Sequence, residues 1–392
     1  MKCGNNLHPA RVPRGGMWLI AVAIAFVSFV TPGLLGAEQL YSEDWGYSLD
    51  LPEGYALQAK DGSSRFAFAN QFFPATLHIV LYPREKWKNS SEALKNVTAQ
   101  LTSTGPLVSF VWRQRDASIS RIESKDQAGW SVALELAGKK GWLVMACVSK
   151  PDKAVALEPL IISTLDAVYT DEGSWFEPGP MTAFAWASDG SMNAEIRFGT
   201  ETRSVPFAKI DAEANQALVD REFSLLTGYL GTEQMYSAWK RYYRMIYRDS
   251  WFRLEKAIFA INSLVPRESE KAAAALLSWT QGFTYERNRE GADFLNLPEA
   301  MMTLKGDCDS RALLLVIMLN QMGVDAILLI SPEYSHALAA IDCPGEGARF
   351  SYGKKKYLIA DTTAKVGLGM IAENMANPDK WFAVAFPAFP QP

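Results

Sequence analysis

The chain reads as an α+β protein in three parts: an α/β sandwich over residues 38–170, a small linker and β/α segment over 171–231, and a further α/β domain over 232–392. Three observations predict this. Short runs alternating with period two fill the first part, apolar residues at four- and three-residue spacing fill the last, and a stretch rich in turn formers, residues 170–180, lies between them. With 392 residues, 48% hydrophobic and 12% aromatic, the chain can bury more than one core.

Residues 1–37 have the pattern of a targeting segment. Lys2, Arg11 and Arg14 precede an uncharged apolar run over residues 18–30, then a Pro32-Gly33 break and Leu35-Gly36-Ala37. Cleavage is expected after Ala37, and if uncut the stretch 17–37 is long enough for a membrane anchor. The rest is therefore expected to be exported, to a periplasmic or extracellular location. Losing residues 1–37 removes three positive charges and takes the net charge from −4 to −7. Acidic and basic residues are mixed along the chain, so no basic stripe marks a nucleic-acid partner. Cys147, Cys308 and Cys343 remain after cleavage, too few and too odd a number for a disulfide framework. A Cys147–Cys343 bridge is left open, and Cys308 is the thiol expected to stay free.

In chain order, residues 41–55 and 75–82 predict strands, and 90–103 a helix. Residues 109–124, 129–138 and 140–149 predict a strand series with turns at Asp126-Gln127 and 138–140, and 154–168 a closing helix. This layout, opened by W-G-Y-x-x-x-L-P-x-G-Y from Trp45 to Tyr55, resembles the PsbP/Mog1-like fold over about a third of the chain. Residues 192–210 predict one or two hairpins and 213–231 a helix. Met235, Trp239, Tyr242 and Ile246, then Leu254, Ile258 and Ile261, predict an amphipathic helix, or a helix pair broken near Asp249-Ser250. Its aromatic stripe suits core packing better than a ligand surface. Residues 268–283 are strong helix formers.

Chemistry concentrates in LKGDCDSRALLL, residues 304–315. Cys308 stands between two aspartates at the start of an apolar run that Gly323 stops as a C-cap would. A helix start lowers a thiol pKa, Asp307 and Asp309 act the other way, and a nearby imidazolium would decide between them. His8 lies in the targeting segment and His78 in an alternating strand, which leaves His336, 28 residues after Cys308, at the start of a strand. Asp361, 25 residues further on, ends another short apolar strand. A thiol on a helix, followed by a histidine and an aspartate on neighbouring strands, is what nucleophilic cysteine catalysis needs. Asp307 and Asp309 read as turn and cap residues rather than calcium ligands, and no His/Cys cluster has metal-ligand spacing, so no cofactor is expected.

The run P-E-x-x-x-x-x-K-G-D-C-D-S-R-A-L-L-L, then S-H-A, then A-D-T-T, resembles the core of the transglutaminase-like superfamily over residues 276–363. The resemblance implies a papain-like fold with Cys308 as nucleophile, His336 as base and then acid, and Asp361 orienting the imidazole. It further implies that Gln281 or Trp279, on the preceding helix, assists the oxyanion together with the Cys308 N–H. The activity implied is that of an exported cysteine peptidase or amidase working through a thioester on a protein or peptide, including cell-envelope components. The other readings are a cross-linking transglutaminase and a catalytically inactive, envelope-associated binding protein.

Overall fold

A computed structural model describes residues 40–188, 190–287 and 292–390; the expected targeting segment lies outside them. The described chain opens with a short antiparallel pair, β1 (Leu40–Ser42) and β2 (Tyr47–Leu49), turned at Gly46, whose φ of +69° suits glycine. Seven strands follow: β3 (Tyr55–Asp61), β4 (Arg65–Asn70), β5 (Ala75–Pro83), β6 (Leu107–Trp112), β7 (Arg115–Glu123), β8 (Ala128–Glu135) and β9 (Gly141–Ser149). They form one antiparallel sheet in the order β3-β4-β5-β9-β8-β7-β6. Helix α1 (Ser90–Gln100), started by the Asn89 side chain accepting from the Glu92 N–H, packs Leu94 and Val97 on one face against Trp142 and Val144. A single turn, α2 (Pro151–Ala154), leads into α3 (Glu158–Asp166), whose Ile161 and Leu165 cover Leu77, Met145 and Cys147 on the other face. With helices on both faces, β9 is buried throughout and is apolar along most of its length instead of alternating. The β3–β4 hairpin was not among the expected strands, because β3 is largely exposed and polar and its alternation is weak.

β10 (Val168–Tyr169) pairs with β2. The stretch expected as a linker is packed: Trp175 and Phe176 are buried against Tyr247 and Trp251. After α4 (Pro180–Ala185), β11 (Ser191–Phe198) and β12 (Glu201–Ala208) form one hairpin, and α5 (Asp211–Thr227) follows. The next helix, α6 (Met235–Asn262), is continuous, so of the two expected arrangements the single amphipathic helix forms and the pair broken near Asp249-Ser250 does not. Those two polar side chains are satisfied inside the bundle. Asn215 Nδ2 donates to Asp249 Oδ2 at 2.7 Å and to Ser250 Oγ at 2.9 Å, and Arg253 forks onto the Asp249 carboxylate.

One face of α6 carries Arg241, Arg244 and Arg248, and all three reach into the sandwich. Arg241 donates to Glu222 Oε2 on α5 at 2.8 Å, to Ser163 Oγ and to the Asp50 carbonyl. Arg244 clasps the Asp50 carboxylate with bonds of 2.9 and 2.8 Å. Arg248 donates to the carbonyls of Asp166, Val168, Glu177 and Ser174. The sandwich and the remainder belong to one compact unit.

The C-terminal half adds α7 (Ser269–Gln281), β13 (Thr284–Tyr285), α8 (Leu297–Thr303), β14 (Lys305–Gly306) and α9 (Cys308–Gln321). An antiparallel sheet then runs β17-β18-β16-β15-β19, built from β15 (Ala326–Ser331), β16 (His336–Ile341), β17 (Arg349–Tyr352), β18 (Lys355–Ala360) and β19 (Phe382–Val384). Helix α9 lies on this sheet, with α6, α7 and α8 around it, and is buried from Ala312 to Leu319. A helix apolar on all sides belongs in such a place. The three described cysteines are buried and unbridged, so the open Cys147–Cys343 pairing does not form.

Candidate active site

The nucleophile's position is built by a tight turn. Helix α8 ends at Leu304, with a left-handed φ of +55°, and β14 pairs in parallel with β13. The chain then passes through Gly306 at φ +151°, where a Cβ would stand 3.1 Å from Ser310 Cβ. Asp307 caps the following helix, its carboxylate accepting from the Ser310 N–H at 2.8 Å, so Cys308 is the first residue of α9. The first N–H groups of a helix have no partner within it, which leaves the Cys308 N–H as a donor at the site.

The other two residues come from the sheet. His336 begins β16 after a turn in which Ser335 takes a φ of +48°, and Asp361 directly follows β18, the strand paired with β16. His336 Nε2 and Asp361 Oδ2 are 3.3 Å apart. The second carboxylate oxygen accepts from the Thr363 N–H at 2.9 Å, the Thr363 hydroxyl at 2.8 Å and the Ala364 N–H at 3.2 Å. Burial alone would raise the Asp361 pKa, but the bonds from His336 and Thr363 hold it down at about 2. Asp361 is thus a fixed anion at the Nε2 edge of the imidazole.

Cys308 and His336 line the same cleft, of about 260 Å³, together with Asp309, Trp239, Tyr242 and Phe223. The thiol's own hydrogen bond goes elsewhere. Cys308 Sγ donates to Asp309 Oδ1 at 3.3 Å, and the Tyr243 hydroxyl on α6 donates to Asp309 Oδ2 at 2.6 Å. Burial pushes the thiol pKa well up, Asp309 and Asp307 add to it, and a bond from the Ala337 backbone N–H only partly opposes them. The helix start therefore does not produce the lowered thiol that its dipole alone predicts. Burial, reinforced by Asp309, likewise raises Asp307 to about 7.

The two residues expected to assist the oxyanion are placed differently. Trp279 donates its indole N–H to the Arg197 carbonyl at 2.7 Å and packs on Phe198 and Phe283. Gln281 gives its amide to the carbonyls of Asp361 and Val366, at 2.8 and 2.9 Å, and so braces the loop behind the acid. Neither is among the described residues lining the cleft. Sequence reasoning missed Tyr243, which lies beside the stripe through Tyr242 and was not singled out, and the bracing role of Thr363. It weighed Asp309 as a charge and as a turn or cap residue, not as the thiol's hydrogen-bond partner. Among the described residues no group of three or more His, Cys, Asp or Glu is placed to hold a metal ion, and no helix is long and apolar enough to cross a membrane.

No protein-family model and no curated protein matches the chain. Among solved structures it has weak similarity to cyanobacterial PsbP (CyanoP) from Synechocystis sp. PCC 6803, at 8% identity and a TM-score of 0.28 over 36% of this chain and 97% of that one. The Ran-binding protein Mog1p of Saccharomyces cerevisiae is similar at 8% identity and a TM-score of 0.27, over 34% of this chain and 94% of that one. A structure from Bacteroides thetaiotaomicron VPI-5482 spans more, 84% of this chain and 90% of its own, at 10% identity and a TM-score of 0.22.

Proposed function

We propose that the protein is an exported cysteine hydrolase, a peptidase or amidase of transglutaminase-like type, acting on a protein or peptide. The observation that carries this reading is the His336–Asp361 pair opening on the cleft that holds Cys308 at a helix start. In the reaction, the Cys308 thiol turns from Asp309 to His336, and Nδ1 takes its proton as sulfur attacks the carbonyl carbon. The tetrahedral oxyanion draws on the Cys308 N–H. The C–N bond then breaks, the imidazolium gives its proton to the departing amine, and a thioester remains. Water, deprotonated by His336, attacks the thioester; the acid leaves and the thiol is restored. An amine in place of water would give cross-linking.

A second reading, a catalytically silent binding module, draws on one specific contact: the thiol bonds to Asp309 instead of His336. One experiment separates the two. The full chain, Cys308→Ser and Cys147→Ser are each incubated with a peptide library and the products read by mass spectrometry. Hydrolysis retained by Cys147→Ser and lost in Cys308→Ser supports the hydrolase. Cleavage that survives in Cys308→Ser, or none in any form, favours the binding module.

A further inference from the structure

Arg311 stands one helical turn after Cys308 and has no part in the steps above. It is 3% exposed. Its Nε donates to the Gly306 carbonyl at 2.8 Å, its Nη1 to the Thr362 carbonyl at 3.4 Å, and its guanidinium lies 5.4 Å from the centre of the Tyr285 ring. Among the described residues no carboxylate pairs with it, and Nη2 is buried without an acceptor, as is the Thr362 hydroxyl. The other buried arginines are provided for: Arg221, Arg241 and Arg253 face carboxylates, and Arg248 meets four carbonyls. A buried guanidinium with a donor left unfilled and no carboxylate in contact is costly, and a negative charge arising beside it would offset that cost.

The two carbonyls that Arg311 holds are informative. Gly306 belongs to the turn that sets the nucleophile, and Thr362 to the loop that sets the acid. Residues three apart on a helix are neighbours on its surface; burial lowers the Arg311 pKa, and the charges of Tyr285, Asp307 and Cys308 act to raise it. We infer that Arg311 is a positioning residue that ties the Cys308 turn to the Asp361 loop and supplies the buried positive charge that offsets the thiolate. This rests on the hydrolase reading for its purpose, not for its test.

The surrounding charges define the expectation. At the start of α9, the cap Asp307 and Asp309 oppose the thiolate; from α6 and β16 come Tyr243 and His336. Beyond β13, Arg287 also faces the cleft, but it is exposed and paired with Asp293 at 3.3 Å. Arg311 is thus the buried cation on this side.

The test is the rate at which iodoacetamide alkylates Cys308 at pH 8, read by mass spectrometry in the full chain and in R311Q, R311K and H336A. Cys147 and Cys343 serve as internal controls. Below its pKa a thiol labels in proportion to its thiolate fraction, so each unit of upward shift slows labelling about tenfold. R311Q is expected to label Cys308 at least about tenfold more slowly, and R311K to stay within about threefold of the parent. Mere loosening of the fold would move labelling the other way, speeding Cys308 together with Cys147. Cys308 labelled in R311Q at the parent rate or faster, with the controls unchanged, overturns the inference. Should R311Q fail to fold, a tenfold slower R311K with protected controls overturns it as well. If H336A labels like the parent while R311Q is slowed, the hydrolase reading loses its base and the role of Arg311 stands.

Discussion

Which neighbour holds the Cys308 proton decides what the site can do. In the structure that neighbour is Asp309, with Tyr243 bonded behind it. Asp309→Asn keeps an acceptor for the tyrosine and removes a negative charge beside the sulfur. Cys308 is therefore expected to alkylate about tenfold faster at pH 8 in that variant, and an unchanged rate would show that Asp309 does not govern the thiol. Two carboxyls also give folding a pH dependence of known sign. Asp361, near 2 when folded against an ordinary 3.8, stabilises the fold above pH 4, and this is lost as pH falls through 2. Asp307, near 7 when folded, keeps a proton that the unfolded chain releases, so stability declines as pH rises from 4 to 7. Glu53, which burial likewise raises to about 7, adds to that decline. Urea midpoints at pH 5 and pH 8 check this: the parent is expected to be weaker at pH 8, and Asp307→Asn, still able to cap α9, to recover part of the difference. A parent equally stable at both values would refute it. At this scale the sequence made Cys308, His336 and Asp361 legible, because a turn, a helix start and two strand ends each leave a local mark. Asp309 as the thiol's partner was not legible, since that bond depends on a rotamer and on a tyrosine 66 residues away.

At the scale of elements, α9 and α6 make different demands. Helix α9 is a buried apolar rod whose identity follows from composition alone, and Leu315→Ala at its fully buried centre is expected to cost about 2–5 kcal/mol. Helix α6 is amphipathic in an unusual sense, because one of its polar rows is interior. Arg248 feeds the carbonyls where α3 ends and β10 begins. Arg248→Ala leaves those acceptors buried and unpaired, and is expected to lower stability by about 3–5 kcal/mol in chemical denaturation. A cost below about 1 kcal/mol would mean that water replaces the guanidinium. A row of arginines at helical spacing reads in sequence as a solvated face. Nothing local distinguishes it from one, and only the sandwich carbonyls and carboxylates opposite make it core. Sequence reasoning left open whether α6 runs on through Asp249 and Ser250, for the same reason: their partner, Asn215, lies on another helix.

At the scale of the molecule, the two halves meet through side chains from both directions. The last described residues return to this seam, with Phe386 stacked on Tyr247 at 3.9 Å between ring centres and Phe389 on Trp251 at 5.5 Å. Much of the order of strands and helices was legible from apolar runs bounded by turn residues, apart from the weakly patterned β3–β4 hairpin, whereas the seam was not, since it joins residues as far apart as Asp50 and Arg244. A fragment of residues 232–392, which carries every proposed catalytic residue, is expected not to fold: circular dichroism should show no cooperative melt, and a sharp transition would contradict that. The arginine face of α6 therefore has a bearing on heredity. A recombination event that exchanged the front sandwich for an unrelated module would leave three cations facing the wrong surface. Sandwich and cleft can pass between genes only as a pair, and sequence change on either side of the seam must be answered on the other.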